Sequence, residues 1–575
     1  MKRGFSMVWR NALVVVASAL VLGAGCQQRG AEQAGVEWDA FVNEYIEGHF
    51  AANPTAAVNA GRHEFDGKLP DWSPVGLGKE IERLRSARER ARAFDPASLD
   101  EGRRFEREYV LAAVGSRLFR QETLEEPYKD PGFYFGALDP DVYVSREYAP
   151  LEQRLRAYIA YAKGVPGAGL QMIANLRTPL PRTYAELGRN TFRGLASFYA
   201  DDVPTVFAAV SDAALQAEFQ EANAAAIRAA RELEAWFEKQ RATATEEFAL
   251  GPERFRGMLR ETERVEMPLD RLEEIGRADL ERNLAALREA CEEYAAGQAI
   301  TECTERVKRV KPQSGPVEGA RRQLGDLKAF ITEQDLMTIP GTEEALVAEA
   351  PPYRRSNLAY IRNPGPYETN LPSVYYIAPP DPSWSAADRA AYIPGETDLL
   401  FISVHEVWPG HFLQRLHRNR SQSQFGKLFG TGAASEGWAH YTEELMLDAG
   451  LGEGDPAVRI GQLMNALLRN VRYMSAIGLH TKGMTVAESE RMFRESAYQD
   501  PGNARQQAAR GTFDPGYLNY TLGKLMIRKL REDWTASRGG RAAWREFHDQ
   551  FLSHGGPPIP LVRQAMLGAE AGPPL

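Results

Sequence analysis

The sequence predicts a mainly α-helical protein, one large body of two lobes with a cleft between them and a small β element. Ala, Leu, Glu and Arg, which favour helices, are abundant along the chain. Hydrophobic residues make up 43% and charged residues 26% of the 575 residues, a balance typical of a globular protein with a large core. Neither a repeat of fixed period nor a clear interdomain linker divides the chain, so one domain is the simplest organisation.

The N-terminal segment predicts export. Three basic residues in the first ten positions precede an apolar stretch, 12–22, that is too short for a comfortable membrane span. Small residues then stand directly before Cys26, as at a bacterial lipoprotein cleavage site. We therefore expect 1–25 to be a signal peptide of the lipoprotein type, Cys26 to carry the lipid and 26–36 to be a polar tether. Plain secretion and an uncleaved anchor are the alternatives.

Charge and the residue after the cysteine bear on location and partners. Gln27 favours an outer-membrane anchor that faces the periplasm, and a soluble secreted or periplasmic protein is the alternative. The net charge of −9 and the pI near 5.7 argue against nucleic acid or an anionic membrane surface as the main partner. We therefore expect membrane contact only through the lipid anchor, and a peptide or small molecule as substrate.

Amphipathic patterns predict helices over most of 37–575, which we treat as a single domain. Gly, Pro and Asn mark many of the helix ends, and a loop rich in Pro, Asp and Tyr occupies 127–150. The predicted helices cover 38–50, two segments within 77–122, 151–178, 183–199, 210–243, 268–296, 397–420, 433–449, 456–482, 485–498 and, as the last long helix, 514–534.

Two short segments break this helical pattern. Residues 359–361 and 374–378 are β-prone and are bounded by Pro and Gly, so they predict a small hairpin or sheet just before the helix at 397. Two irregular loops are the alternative. Cys291 and Cys303 stand at a predicted helix end and the next helix start, where they could form a disulfide or remain two free buried thiols.

The segment His405-Glu406-Val407-Trp408-Pro409-Gly410-His411 carries the main functional signal. Two histidines with a glutamate beside the first are the groups that a helix presents to zinc and to the attacking water. The second histidine comes six residues after the first, about 240° further round an ideal helix. Pro409 cannot donate a backbone hydrogen bond, and Gly410 tolerates unusual dihedral angles. Either the helix is bulged by about two residues so that both histidines converge, or this is not a metal site.

A third zinc ligand should follow on a later helix. Glu436, His440 and Glu443 are spaced to share one helical face. We assign Glu436 as the ligand and Glu443 as a residue that orients a ligand histidine from behind. These residues place the expected metal-site half at about 397–575.

The neighbours of these ligands suggest roles in hydrolysis. Glu406, adjacent to His405, is expected to take a proton from the attacking water and pass it to the leaving nitrogen. A tetrahedral oxyanion would then need a hydrogen-bond donor, and Tyr520 and His480 are the candidates.

These same stretches resemble the bacterial domain-of-unknown-function family 885, over nearly the whole mature chain. The matching motifs are HEVWPGH (405–411), SEGWAHYTE (435–443), GLHTKGMT (478–485), the Pro-Gly to Gly run at 515–523, and NPTAAVNAGRHEFDGKLPDWS (53–73). The resemblance implies an exported, often lipid-anchored, mostly helical zincin-like fold.

The spacing of the downstream glutamate is also similar to that of thimet-oligopeptidase-like and carboxypeptidase Taq-like metallopeptidases. That likeness implies that His405, His411 and Glu436 are zinc ligands, that Glu406 is the base and that Tyr520 is the oxyanion donor. The expected function is a zinc hydrolase that cleaves short peptides. The alternatives are a zinc amidase or esterase acting on a non-peptide or cell-wall fragment, and a non-catalytic lipoprotein that binds a ligand in a degenerate cleft.

Overall fold

The structure, a computed structural model, describes residues 32–351, 355, 358–368, 370–568 and 571–575. The predicted signal peptide and Cys26 lie outside the described residues. Residues 32–52 form one continuous helix, which therefore begins before the predicted start at Trp38 and includes the end of the predicted tether. Within the described part of the chain, no helix combines the length and the apolar character that crossing a membrane requires.

The N-terminal half is helical, and its helices follow one another with short connections. The loop predicted at 127–150 is broken into short helical turns, and Pro131 and Gly136 follow the first two of them. After 32–52, its helices are Pro54–Ala60, Pro74–Ala93, Glu101–Leu118, Glu126–Lys129, Gly132–Phe135, Asp141–Ser145, Leu151–Asn175, Arg182–Ser197, Val203–Phe207, Ala213–Arg241, Pro252–Glu263, Leu269–Tyr294, Ile300–Arg309 and Pro316–Glu333.

The C-terminal half follows a small sheet. The last long helix, predicted to end near residue 534, is confirmed as Asn519–Thr535, and two shorter helices that were not predicted follow it. The helices of this half are Ala386–Tyr392, Glu396–Glu406, His411–Asn419, Gln424–Leu428, Gly432–Asp448, Pro456–Thr481, Val486–Ser496, Pro501–Phe513, Asn519–Thr535, Trp544–Ser553 and Ile559–Leu567.

The predicted β element is confirmed and has three strands in the order β1-β3-β2. Strand β1 (Ala345–Glu349) runs parallel to β3 (Ser373–Ile377), and β2 (Ala359–Arg362) runs antiparallel to it. β1 was not predicted, since Ala345 to Glu349 alternates too weakly to stand out from the helical surroundings. Strand β2 lies at one edge of the sheet, where its outer backbone groups are free to contact the helix that follows.

Three separate hydrophobic cores support these elements. The largest is built from side chains between Phe255 and Met566, a second from side chains between Val58 and Phe237, and a third from the first helices together with Phe425. Cys291 and Cys303 form a disulfide inside the largest core, which decides between the two alternatives for these cysteines. The mainly helical class is confirmed, whereas the arrangement of two lobes around a central cleft stays a prediction.

Candidate metal centre

The chain between His405 and His411 breaks instead of bulging. The Glu396–Glu406 helix ends, a cis Trp408–Pro409 peptide follows, and a new helix, His411–Asn419, begins. The prediction of one continuous helix over 397–420 is therefore wrong. The physical reason is local: Pro409 has no N–H to continue the ladder, and the chain folds back so that Gly410 N donates to Val404 O at 3.0 Å.

Gly410 is required by this close return of the chain. A Cβ atom at this position would lie 1.8 Å from the carbonyl oxygen of His405, which is a backbone atom that cannot move aside. The glycine thus lets the second helix start against the end of the first. His411 is the first residue of the new helix, so its side chain points back towards His405.

The break brings the two histidines together with Glu436. Glu436 Oε2 lies 3.5 Å from Nε2 of His405 and 3.5 Å from Nε2 of His411. One ligand atom from each of the three residues lies within 4.8 Å of the other two. This convergence was the open question of the sequence, and the structure answers it.

Glu436 comes from the helix Gly432–Asp448, whose first turn is capped by Thr431, with the Thr431 side chain accepting from Ala434 N. Its Oε2 is buried and makes no hydrogen bond within the described residues. Burial by itself raises the pKa of Glu436, but the charges of His411 and His405 outweigh burial and hold the pKa well below its usual range. The carboxylate is therefore ionised and aimed at the space between the two imidazoles.

Glu443 lies behind His405, on the side away from Glu436. Its Oε1 is 2.7 Å from His405 Nδ1, and its Oε2 is 3.2 Å from His440 Nδ1. A carboxylate at Nδ1 keeps a proton on that nitrogen, so Nε2 is the ring atom that a metal would bind after displacing its proton. Burial lowers the pKa of His405, but its contacts with Glu436 and Glu443 outweigh burial and raise the pKa to about 9.

Arg469 was missed by the sequence analysis. Its Nη2 is 3.2 Å from Glu443 Oε1 and 3.4 Å from His405 Nδ1. Burial raises the pKa of Glu443, but Arg469, His440 and His405 together bring the pKa below its ordinary value. Arg469 stands 26 positions after Glu443 on another helix, so no spacing rule links the two. The one available signal was that a buried Glu443 would need a basic partner.

Glu406 is fixed by the sheet. Its Oε2 accepts a hydrogen bond of 3.0 Å from Ile361 N, at the outer edge of β2. One carboxylate oxygen is thereby held and the other remains available. The small β element thus contributes directly to the position of the predicted base.

The two predicted oxyanion donors lie in different surroundings. The ring of Tyr520 stacks on that of His405, with centroids 6.2 Å apart, and Arg472 lies over its face at 4.9 Å. His480 is buried, its Nε2 is 2.8 Å from Gly511 O, and its Nδ1 accepts from Leu250 N at 3.3 Å. The structure therefore brings Tyr520 to the cluster, whereas both ring nitrogens of His480 contact backbone groups.

A cavity of about 930 Å³ opens beside the cluster. Glu436 and Tyr520 form part of its wall, and the opposite wall comes from the N-terminal half, between Arg120 and Tyr184. Binding sites for small molecules commonly enclose about 300–1,000 Å³, so the cavity has the size of a small-ligand site.

These features define a class of protein, a large helical protein with a partly buried His-His-Glu cluster at the wall of a cavity. The chain belongs to the family described as "Bacterial protein of unknown function (DUF885)", whose model matches residues 54–566. No curated protein matches the chain.

Two solved structures share the fold. One is from Shewanella oneidensis and is described as a "putative lipoprotein of unknown function"; it is 24% identical, has a TM-score of 0.77, and the match covers 92% of this chain and 99% of the other. The second, described as the "putative lipoprotein from Colwellia psychrerythraea", is 18% identical with a TM-score of 0.78, and covers 92% and 98%. At these identities the likeness shows the fold alone.

Proposed function

We propose that the protein is a zinc-dependent hydrolase of the metallopeptidase type that acts on short peptides. The observation that carries the proposal is the convergence of His405, His411 and Glu436 across a broken helix. Three protein ligands with one position left open are the arrangement of catalytic zinc sites. The zincin-like fold and the central cleft that the sequence suggests belong to this proposal.

The donor set fits zinc. Two imidazoles and one carboxylate match its preference, and ligand atoms on a tetrahedral zinc stand about 3.4 Å apart when the bonds are about 2.1 Å long. The two contacts of Glu436 with the histidines, each of 3.5 Å, agree with that spacing. A carboxylate oxygen that is buried without a hydrogen bond is also the group that a cation would satisfy.

When bound, zinc would supply Lewis-acid activation of water and of the substrate carbonyl. Glu406, with one oxygen held by Ile361 N, would accept the proton of the attacking water and deliver it to the leaving nitrogen. The hydroxyl of Tyr520 would donate to the oxyanion as charge develops. Glu443 would hold the His405 ring in its tautomer.

The first experiment measures metal and activity separately. Protein stripped by a chelator and reloaded should hold about one zinc per chain and cleave short peptides from a library, as the three-ligand site requires. The Glu406→Gln variant should keep its zinc and lose peptide cleavage by about 100-fold or more, because the base is removed without touching a ligand.

The controls separate the rival outcomes. His411→Ala should lose the zinc together with activity, since two ligands remain. Full activity in Glu406→Gln would refute the role of this residue. A chain that binds no zinc under any loading condition would instead support a non-catalytic ligand-binding protein.

We also propose that the protein is an exported lipoprotein anchored through Cys26. The small residues before Cys26 and the descriptions of the two structural neighbours support this. An anchor in the outer membrane, with the domain facing the periplasm, is part of the same proposal.

A further inference from the structure

Two buried acceptor atoms in the wall of the cavity have no donor. Glu263 ends the helix Pro252–Glu263 and is 2% exposed, and Asn519, which begins the helix carrying Tyr520, is 8% exposed. Both side chains line the cavity that reaches Glu436. Within the part of the chain that the structure describes, neither Glu263 Oε2 nor Asn519 Oδ1 has a hydrogen-bond partner.

The other polar atoms of these two side chains bind each other. Glu263 Oε1 accepts from Asn519 Nδ2 at 2.9 Å and from Ala433 N at 3.3 Å. Because only the amide nitrogen of Asn519 can donate to a carboxylate, its Oδ1 must be the free acceptor. The two unpartnered oxygens therefore belong to side chains that are locked together, and they form one acceptor pair.

The two acceptor oxygens and the carboxylate charge indicate a ligand that is a hydrogen-bond donor and a cation. A buried acceptor without a donor is unfavourable, and a carboxylate without a counter-charge is more so. Arg120 lies near enough for its charge to lower the pKa of Glu263, but its ion pair is with Glu126, at 3.6 Å. A primary ammonium group has three N–H donors and one positive charge, so it can satisfy both oxygens at once.

A second metal ion fits this position poorly. Hard cations such as calcium take six or more oxygen ligands, whereas the acceptor pair offers two. In the described ranges, the one group of His, Cys, Asp and Glu side chains close enough to hold a metal is the His405, His411 and Glu436 cluster. An organic cation is therefore the better match.

The pair stands one helical turn from the metal cluster. A Cβ atom on Gly432 would lie 2.8 Å from Asn519 Nδ2 and 3.5 Å from Glu263 Oε1. Gly432 precedes Glu436 by four residues on the same helix, so the two positions are about 6 Å apart along one face. An extended peptide spans about 3.5 Å per residue, and an ammonium group at the pair would lie about two residues from the reacting carbonyl.

We propose that Glu263 and Asn519 bind the free α-ammonium group of the substrate, so that the enzyme removes one or two residues from the N-terminus of a short peptide. This inference rests on the proposed function, and it deepens it by naming the substrate class. The acceptor pair marks where the N-terminus lies, and the His405 cluster marks where the bond is cut.

The state of Glu263 agrees with such a site. Burial raises the pKa of Glu263 to about 7, against the lowering effects of the nearby Thr431 side chain, the Ala433 N–H and the charge of Arg120. An arriving ammonium group would stabilise the ionised form and complete the pairing that the free protein lacks.

The test compares two ligands that differ only in the amino group. Trialanine amide and its N-acetylated form are titrated by calorimetry at pH 8 into zinc-loaded Glu406→Gln protein, which should bind without cleaving. The free amine should bind at least about tenfold more tightly, as expected for one buried charge-assisted contact. Equal affinity for the two ligands overturns the proposal, and this comparison requires no change at the pair itself.

A matched pair of variants then locates the effect. Adding Glu263→Gln removes the charge but keeps an oxygen for Asn519, and it should reduce the preference for the free amine to about twofold or less. Adding Glu247→Gln removes the charge of an exposed carboxylate on the same cavity and should leave the preference unchanged. A preference that survives Glu263→Gln in folded protein excludes this residue as the anchor.

The outcomes distinguish this proposal from the proposed function. Selective binding of the free amine without cleavage by the wild-type chain would retain the ammonium site and reject the hydrolase. Cleavage of free and acetylated peptides at equal kcat/KM would retain the hydrolase and reject the ammonium site.

Discussion

At the scale of single residues, Glu443 is the buried carboxylate that links three charged or titratable side chains behind the cluster. Its side chain has no exposed surface, yet it contacts His405, His440 and Arg469. Such a buried carboxylate is tolerated only when each oxygen is paired, because desolvation of an unpaired charge costs several kcal/mol. The pairing also fixes which nitrogen of His405 faces the cluster, so the same ion pair orients the imidazole ring.

Glu263 provides the residue-scale prediction. Its pKa is about 7 in the folded chain, above the ordinary value of 4.5, so the folded state binds this proton more tightly than the unfolded state. The stabilisation from the proton is present below pH 4.5 and is lost as pH rises through 7. Glu263→Gln cannot ionise, so its free energy of unfolding relative to wild type should rise by up to ~3 kcal/mol between pH 4.5 and pH 8.

Urea denaturation at several pH values measures this difference, and Glu247→Gln serves as the exposed control with a flat profile. A difference between Glu263→Gln and wild type that does not change with pH would show that the carboxyl titrates normally in the folded protein.

At the scale of elements, the sheet and the broken helix act together. Strand β2 is an edge strand, and Ile361 N turns away from β3 to hold Glu406. The helix break brings His411 back to His405. Each feature on its own is a small irregularity, but the first fixes the side chain of Glu406 and the second brings His411 to His405 and Glu436.

The break gives the element-scale prediction. Gly410→Ala would place a methyl group within 1.8 Å of His405 O, so the turn must open. We expect the variant to lose at least ~2 kcal/mol of stability and to bind little zinc, because the two helix ends separate. Thermal unfolding and zinc content of the purified chain measure both effects.

Gly325→Ala is the matched control. This glycine lies inside the helix Pro316–Glu333 with no atom within 4 Å of an added Cβ. Alanine there should stabilise the chain by about 0.5–1 kcal/mol through helix propensity and leave zinc binding unchanged. Normal zinc content in Gly410→Ala would show that the turn can relax without moving His411.

At the scale of the whole molecule, the site is assembled from distant parts of the chain. Ile361, His405, Glu436, Arg469 and Tyr520 come from one strand and four helices. Ile361 and Tyr520 pack against the largest core, which also contains the disulfide. The cavity beside them is lined by residues from both halves of the sequence.

The anchor gives the prediction at this scale. Wild-type chain expressed in a bacterium should incorporate labelled fatty acid and sediment with outer membranes, whereas Cys26→Ser should do neither. Both forms should bind zinc equally, because the metal cluster lies in the folded domain. A wild-type chain that is soluble and unlabelled would favour plain secretion.

The sequence by itself determined the helical class, the β element and most of the cluster. Helix periodicity is a local property, and so is the turn chemistry around 359–378. His405, His411 and Glu436 were assigned from residue type and spacing, and the structure brings them together. Glu443 follows from the same helical face as Glu436, and it does lie behind His405.

The tertiary structure decided what depends on contacts between distant residues. The return of the chain at Gly410, where an added Cβ would meet His405 O, is by contrast local, but no helical pattern encodes it. Three contacts join residues that are far apart in the sequence. They are the ion pair of Arg469 with Glu443, the hydrogen bond from Ile361 N to Glu406, and the hydrogen bond from Asn519 to Glu263. Spacing along the chain indicates which residues can share a helical face, but packing between elements determines which atoms are left without a partner.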